Sequence, residues 1–303
     1  MELTLVGLRV LREVAERGTF TAAADALGYT QSAVSRQIAA LEQAADSRLF
    51  DRHPGGVRLT AAGSTLLRHA ITALDVLDVA DRELRGADDT GHIRLGFIPA
   101  AGAALVAPAL AALRRQSPGL RVTTREGTTP ALVRALRAGT LDLALLTSRP
   151  PHRSPDADTP ALHVEPLLDD ELVVAVPDDG RYAGPSATTE RISGETWIAS
   201  PSQAAEPLLG VWPGLPGRPL IHHAARDWLT KLHLVAAGIG ITSVPATLRH
   251  VLPPGVRLLP LDDAPPERRR INLVRLPGPT TTPVEALTRT LRDQAADLAD
   301  TPR

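Results

Sequence analysis

Apolar residues in the first part of the chain recur at helical spacing. Leu5, Leu8, Leu11 and Val14 fall three apart and predict a first helix that stops near Gly18. Thr19 or Thr21 can cap a second helix, with Phe20, Ala23, Ala24 and Leu27 facing inward. Gly28-Tyr29 interrupts the pattern. A third helix starts at about Thr30 and buries Val34, Ile38 and Leu41. Leu49-Phe50 ends this unit, and Arg52 to Thr60, broken by Pro54-Gly55-Gly56, reads as a small hairpin wing. From Thr60 to Arg85 runs one long helical pattern, with Leu67, Ala70, Leu74 and Leu77 on an approximate a/d seam. The polar remainder of this helix offers no other face to bury, so the seam is expected to join two chains; the alternative is a helix lying on its own domain. Residues 86–91 form a polar hinge.

From His92 the texture changes. Strands are expected at 93–98, 120–125 and 141–147, and helices at 103–116 and 130–138. Such a β-α-β-α-β run implies a parallel sheet with right-handed crossovers. A Pro- and Asp-rich connector at 150–160 leads to a second α/β unit, with strands near 172–176, 197–199 and 220–223 and a helix at 227–237. A strand at 271–275 and a helix at 284–298 end the pattern.

A length of 303 residues allows two or three domains, and 43% hydrophobic with 22% charged residues is ordinary for a globular chain. No cysteine is present, which excludes a disulfide framework, a thiolate metal site and a cysteine nucleophile. The opening residues carry charge early, unlike a signal peptide, and no run nears the roughly eighteen apolar residues of a membrane span. The expectation is a cytoplasmic protein. Lysine and arginine total 33 against 34 acids, so bulk charge does not point to nucleic acid. Residues 1–60 balance as well, Arg9, Arg12, Arg17, Arg36, Arg48, Arg52 and Arg58 standing against Glu2, Glu13, Glu16, Asp25, Glu42, Asp46 and Asp51. A DNA-binding reading must rest on local pattern.

That pattern lies in Phe20 to Glu42. Small alanines let two helices cross closely, and Gly28 frees the turn between them. Gln31, Ser32, Ser35 and Arg36 lie at the N-terminal end of the third helix, away from its apolar face, where a recognition helix presents side chains to a major groove. Gln suits adenine edges, and Ser and Arg suit bases or phosphates. Phe20-x-x-Ala23-Ala24, Gln31-Ser32-Ala33-Val34-Ser35-Arg36-Gln37-Ile38, Leu41-Glu42, Leu49-Phe50-x-Arg52 and Leu59-Thr60-x-x-Gly63 closely resemble the signature of LysR-type transcriptional regulators. The motifs run in the family's order over about sixty residues, and the resemblance continues through the linker helix and the C-terminal half.

The resemblance implies a winged helix-turn-helix at 1–60, a linker and dimerisation helix at 61–86, and a two-lobed, type 2 periplasmic-binding-protein-like α/β domain at 92–303. Lobe one would hold 92–161 and 271–303 and lobe two 163–265, with crossings near 161–165 and 264–270. Gln31, Ser32, Ser35 and Arg36 would face the groove, and Arg52 and Arg58 on the wing would reach phosphate or minor groove. The implied partners are double-stranded promoter DNA, a small-molecule effector, a second copy of the chain as homodimer or homotetramer, and RNA polymerase, on the nucleoid.

Effectors in such domains sit where strands end and helices begin. Three places qualify. The first is Ala100 in the turn after the first strand, the second is Thr128 before a helix that Thr129 would cap with Pro130 at its first position, and the third is Ser200 and Ser202 in lobe two. Many members carry a hydroxyl at the position of Ala100, so its loss points to a less anionic ligand or to backbone capture. Gly238-Ile239-Gly240 follows a helix and so fails as a dinucleotide fingerprint. His222 and His223 point to opposite faces of a strand and His233 lies in a helix, which does not make a metal site. No catalytic constellation and no cofactor site is evident. Two other readings compete: a solute-binding module that does not bind DNA, which removal of residues 1–60 would distinguish, and an enzyme on the two-lobed scaffold, which would need a catalytic pair in the cleft.

Overall fold

Thr4, Thr19 and Thr30 each accept a hydrogen bond from the backbone N–H three residues on (3.1, 3.1 and 3.2 Å), and each opens a helix. These are α1 (Leu5–Arg17), α2 (Phe20–Leu27) and α3 (Gln31–Ala45) in a computed structural model that describes residues 3–84, 91–200 and 209–300. Gly18 and Gly28 take left-handed φ values of 74° and 66° and end α1 and α2. Leu11, Val14, Ala23, Ala24, Val34, Ile38 and Leu41 close the core between the three helices. An antiparallel hairpin of β1 (Phe50–His53) and β2 (Gly56–Leu59) follows as the wing.

Thr60 then accepts from the Gly63 N–H at 3.0 Å and starts α4 (Ala61–Leu84). Gly63 is required, because a Cβ there would stand 2.1 Å from the Leu49 carbonyl oxygen. The expected two-chain seam is corrected in its first half. Leu67, Ala70 and Leu74 are buried in this chain's own winged-helix core, with Leu74 only 1% exposed. Among the described side chains of α4, Val76 and Leu77, at 63% and 38%, are the large apolar ones left open.

In the C-terminal half, β3 (His92–Phe97) pairs in parallel with both β4 (Arg121–Glu126) and β5 (Leu143–Ser148). Between β3 and β4 the helix starts earlier than periodicity indicates: α5 (Pro99–Ala101) passes through a π-type turn (Gly102–Val106) into α6 (Ala107–Gln116). Between β4 and β5 lies α7 (Thr129–Arg137). The next strand, β6 (His163–Pro177), is longer than expected and belongs to both lobes. Lobe two adds α8 (Thr189–Ser193), β7 (Thr196–Ala199), β8 (Leu220–Ala224), α9 (Trp228–Ala236), β9 (Thr242–Pro245) and β10 (Val256–Leu259). The chain returns through β11 (Arg268–Arg275) to α10 (Thr282–Asp300), which packs on lobe one. From His163 to Glu171, β6 pairs with β11; from Leu172 onward it pairs with β9 and β10. The changeover therefore falls inside β6, after the 161–165 segment proposed from sequence.

Among the described residues of lobe two, one charged side chain is sealed from solvent. Lys231 on α9 is 0% exposed, and its Nζ donates to Ser200 Oγ (2.8 Å) and the Leu209 carbonyl (3.4 Å), 4.6 Å from the Trp228 ring centre. Burial lowers its pKa to about 8.

Leu74→Ala should cost about 2–5 kcal/mol through its own domain's core; a urea titration showing an unchanged midpoint would place Leu74 outside that core. For Lys231, the folded value of about 8 lies below the ordinary 10.5, so the buried ammonium opposes folding below pH 8, and this opposition fades as pH rises toward 10.5. Lys231→Met should then unfold at a higher temperature than wild type at pH 7, by roughly 3 kcal/mol of stability, with the gap closing by pH 10. A gap that stays constant with pH would contradict this assignment.

Candidate nucleic-acid interface and ligand cleft

The polar edge of α3 is set by its buried edge. With Val34, Ile38 and Leu41 in the core, Gln31, Ser32 and Arg36 are exposed and Ser35 is half-buried, on the helix's N-terminal half. Thr30 caps the helix and its Oγ1 lies 3.0 Å from Ser32 Oγ, which orients that serine. On the wing, Arg52 and Arg58 are both exposed. The Arg52 guanidinium stacks 5.5 Å from the Phe20 ring centre, so β1 is held against α2 while its charge stays in solvent.

Glu42, noted in sequence only as part of the motif, joins these parts. Its Oε1 accepts from the backbone N–H groups of Leu49 (2.7 Å) and Phe50 (3.4 Å), fixing the wing to the end of α3. A second tie is the Val57 N–H donating to the Gly18 carbonyl at 2.9 Å. Helix and wing thus form one rigid polar surface carrying Gln31, Ser32, Ser35, Arg36, Arg52 and Arg58.

The C-terminal half places its expected residues less simply. Thr128 is the residue before α7, with Pro130 second in the helix, so the capping position falls one residue earlier than expected. The Thr128 side chain makes no capping bond and is exposed; Thr129 lines a cavity instead. Ala100 sits half-buried inside α5. Ser200 accepts from Lys231 and so is engaged with lobe two's interior. Ser202 lies outside the described residues.

Two cavities share Arg149, the first lined by lobe one and the second chiefly by lobe two. One of about 290 Å³ is walled by Thr129, Ser148, Arg149, Arg153 and Asn272, among others. Ser148 Oγ accepts from Asn272 Nδ2 (2.9 Å) and lies 2.9 Å from His152 Nδ1. The other, about 240 Å³, is walled by Arg149, Trp212, Ser243 and Arg269 with apolar neighbours.

Sequence reasoning also missed a contact between the two halves. Glu16, near the end of α1 and only 7% exposed, pairs with Arg125 of β4, and its carbonyl accepts from Arg134 Nε of α7 at 2.9 Å. Glu16 looked like one acid of a balanced set, and nothing local marked it.

Comparison with known proteins agrees with this division. Residues 5–64 match the family described as "Bacterial regulatory helix-turn-helix protein, lysR family", and 86–296 match "LysR substrate binding domain". The chain is 30% identical over 288 residues to a "Probable hydrogen peroxide-inducible genes activator" of Mycobacterium avium, covering 89% of this chain and 87% of that one. It is 31% identical to the "HTH-type transcriptional regulator CatR" of Pseudomonas putida, covering 80% and 82%. A full-length OxyR variant from Pseudomonas aeruginosa shares the fold at a TM-score of 0.59 and 22% identity, covering 96% and 98%. A helix-turn-helix followed by a substrate-binding domain, matched over nearly the whole length, makes this chain a member of the LysR family of DNA-binding transcriptional regulators, not an enzyme.

Proposed function

We propose that the protein binds promoter DNA as a homodimer, inserts the N-terminal half of α3 into the major groove, and alters that binding when a small molecule occupies the space between its lobes. The observation that carries this is the single rigid surface on which Gln31, Ser32, Ser35 and Arg36 stand beside the wing arginines, Arg52 and Arg58. The charge balance of residues 1–60 limits the phosphate contribution of one domain, so two linked domains are needed for useful affinity. Val76 and Leu77, open on α4, supply the dimer contact in place of Leu74. Working at a promoter, the dimer, or a homotetramer built from it, would act beside RNA polymerase on the nucleoid.

The effector reading is favoured over direct peroxide sensing by one fact of composition. The Mycobacterium avium relative is named for hydrogen peroxide, but this chain has no cysteine thiol to oxidise. Thiol oxidation is therefore excluded, and a bound ligand is the signal this reading assigns. Ala100, Thr128, Ser200 and Ser202 remain the proposed strand-end contacts. Thr128→Val should weaken effector binding by about threefold to tenfold, the worth of one neutral hydrogen bond, while leaving promoter affinity without effector unchanged.

The DNA assignment is tested by Arg36→Ala in a gel-shift titration on the protein's own promoter, with circular dichroism confirming the fold. Weaker binding and relaxed sequence choice are expected; unchanged affinity would sink the assignment. For the dimer, Val76→Asp with Leu77→Asp should yield monomers by light scattering, and a retained wild-type mass would move the interface elsewhere.

A further inference from the structure

Residues 1–60 carry seven arginines against seven acids, so the winged helix alone brings little net charge to a phosphate backbone. Lobe one stands where it can add to this. The turn from Glu16 to Phe20 is held from two sides. On one side is the wing. The Val57 N–H donates to the Gly18 carbonyl at 2.9 Å, a Cβ on Gly56 would stand 2.3 Å from that same oxygen, and the Arg52 guanidinium lies 5.5 Å from the Phe20 ring centre. On the other side is lobe one. Arg134 of α7 donates from Nε to the Glu16 carbonyl at 2.9 Å, and that Nε is 3.7 Å from where a Cβ on Gly18 would be. Arg125 of β4 pairs with the Glu16 carboxylate. Lobe one thus sets two arginines against the turn on which the wing and the start of α2 meet.

These two arginines are used differently. Glu16 lies in the last turn of α1, where the helix dipole disfavours an acid, and it is buried as well; Arg125 answers both costs. Arg134 is exposed, only its Nε is engaged, and its two terminal nitrogens have no partner among the described residues. A guanidinium fixed at one nitrogen and open at the other two is suited to the oxygens of a phosphate. In a helix-turn-helix the first helix of the pair crosses the DNA backbone, so α2 and the wing beside it are the parts that meet phosphate. Arg134 borders both. We propose that Arg134 of lobe one is a phosphate contact of the DNA interface, so that the C-terminal half takes part in binding DNA directly. This rests on the reading of α3 and the wing as the DNA face, and it extends that face to a residue outside the winged helix. The charge missing from residues 1–60 is then supplied in part by the other half of the same chain.

The test measures the affinity of the full chain for its own promoter by fluorescence anisotropy over a series of salt concentrations. The slope of log affinity against log salt reports phosphate contacts, at about 0.9 for each. Arg134→Gln keeps a donor for the Glu16 carbonyl and removes the charge. Its slope should be shallower by about 1 for each chain bound, with the preference for the promoter over an unrelated duplex unchanged, since phosphate contacts carry no sequence information. Arg134→Lys should keep most of the wild-type slope. Arg114→Met, which removes an exposed charge on α6, should keep all of it. Circular dichroism checks the fold of each variant. A wild-type slope in Arg134→Gln would overturn the contact. So would an equal loss in Arg134→Gln and Arg134→Lys, or weaker binding at an unchanged slope, which are the marks of a packing role. If Arg134→Gln flattens the slope while Arg36→Ala leaves affinity unchanged, this contact stands and the recognition-helix reading falls. If Arg36→Ala weakens binding while Arg134→Gln keeps the wild-type slope, that reading stands and this contact falls.

Discussion

The C-terminal half hangs on the backbone ladder of β6. Its first nine residues bond to β11 and its last six bond to β9 and β10, so one continuous strand carries both lobes. Separate sheets joined by loose linkers could drift. A shared strand restricts relative motion to bending and twisting where the pairing changes, around Asp170 to Leu172. There the Leu172 N–H also donates to the Glu267 carbonyl at 3.0 Å, so the returning chain is tied at the same level. The half-buried Asp170 carboxyl, its pKa raised by desolvation, is held by Thr247 of lobe two. This changeover delivers Arg269 into the interlobe space, while Arg149 arrives at the end of the adjacent β5.

How much of this could be read from the sequence depended on how local each determinant was. The three threonine caps, the two left-handed glycines and the stripe from Leu8 to Leu41 act within a few residues, and they define the N-terminal unit as expected. The parallel β3-β4-β5 unit was equally visible, because β5 is a buried apolar run and a helical pattern separates each pair of strands, although β4 is itself polar and largely exposed. The first half of β6 was hidden because Pro166 and the acidic run Asp169-Asp170-Glu171 interrupt its apolar pattern. The structure absorbs that proline at a register shift, where it faces Asn272. The four-residue strands β9 and β10 are too short to show a period. A helix periodicity also cannot say whose surface a stripe will meet, which is why Leu74 read as a seam between chains. The candidate site was legible in the same proportion. The exposed polar edge of α3 follows from its buried edge, whereas the arginines at the lobe junction become neighbours only through long-range strand pairing.

The contact at Glu16 relates the two halves mechanically. α7 has one end at Thr129 in the cavity wall and presents Arg134, further along, to the end of α1. At about 1.5 Å per residue, a helix of this length is only some 13 Å long and does not bend easily. Gly139, just past its end, would place a Cβ 2.3 Å from Ile71 of α4, so α4 also rests closely on this region. The winged helix and lobe one are therefore packed through short, stiff elements, with α1 the first part of the DNA-binding unit to meet them.

The solitary Lys231 has a practical consequence. It is the one lysine in the chain and it is fully buried, so the folded protein offers amine-directed chemistry no side chain on its surface. Acylation of an ε-amine can proceed only when lobe two opens far enough to free α9 from Ser200 and the Leu209 carbonyl. The rate at which an amine-reactive label enters Lys231 is thus a built-in clock for that opening, read at one atom against a background free of other lysines.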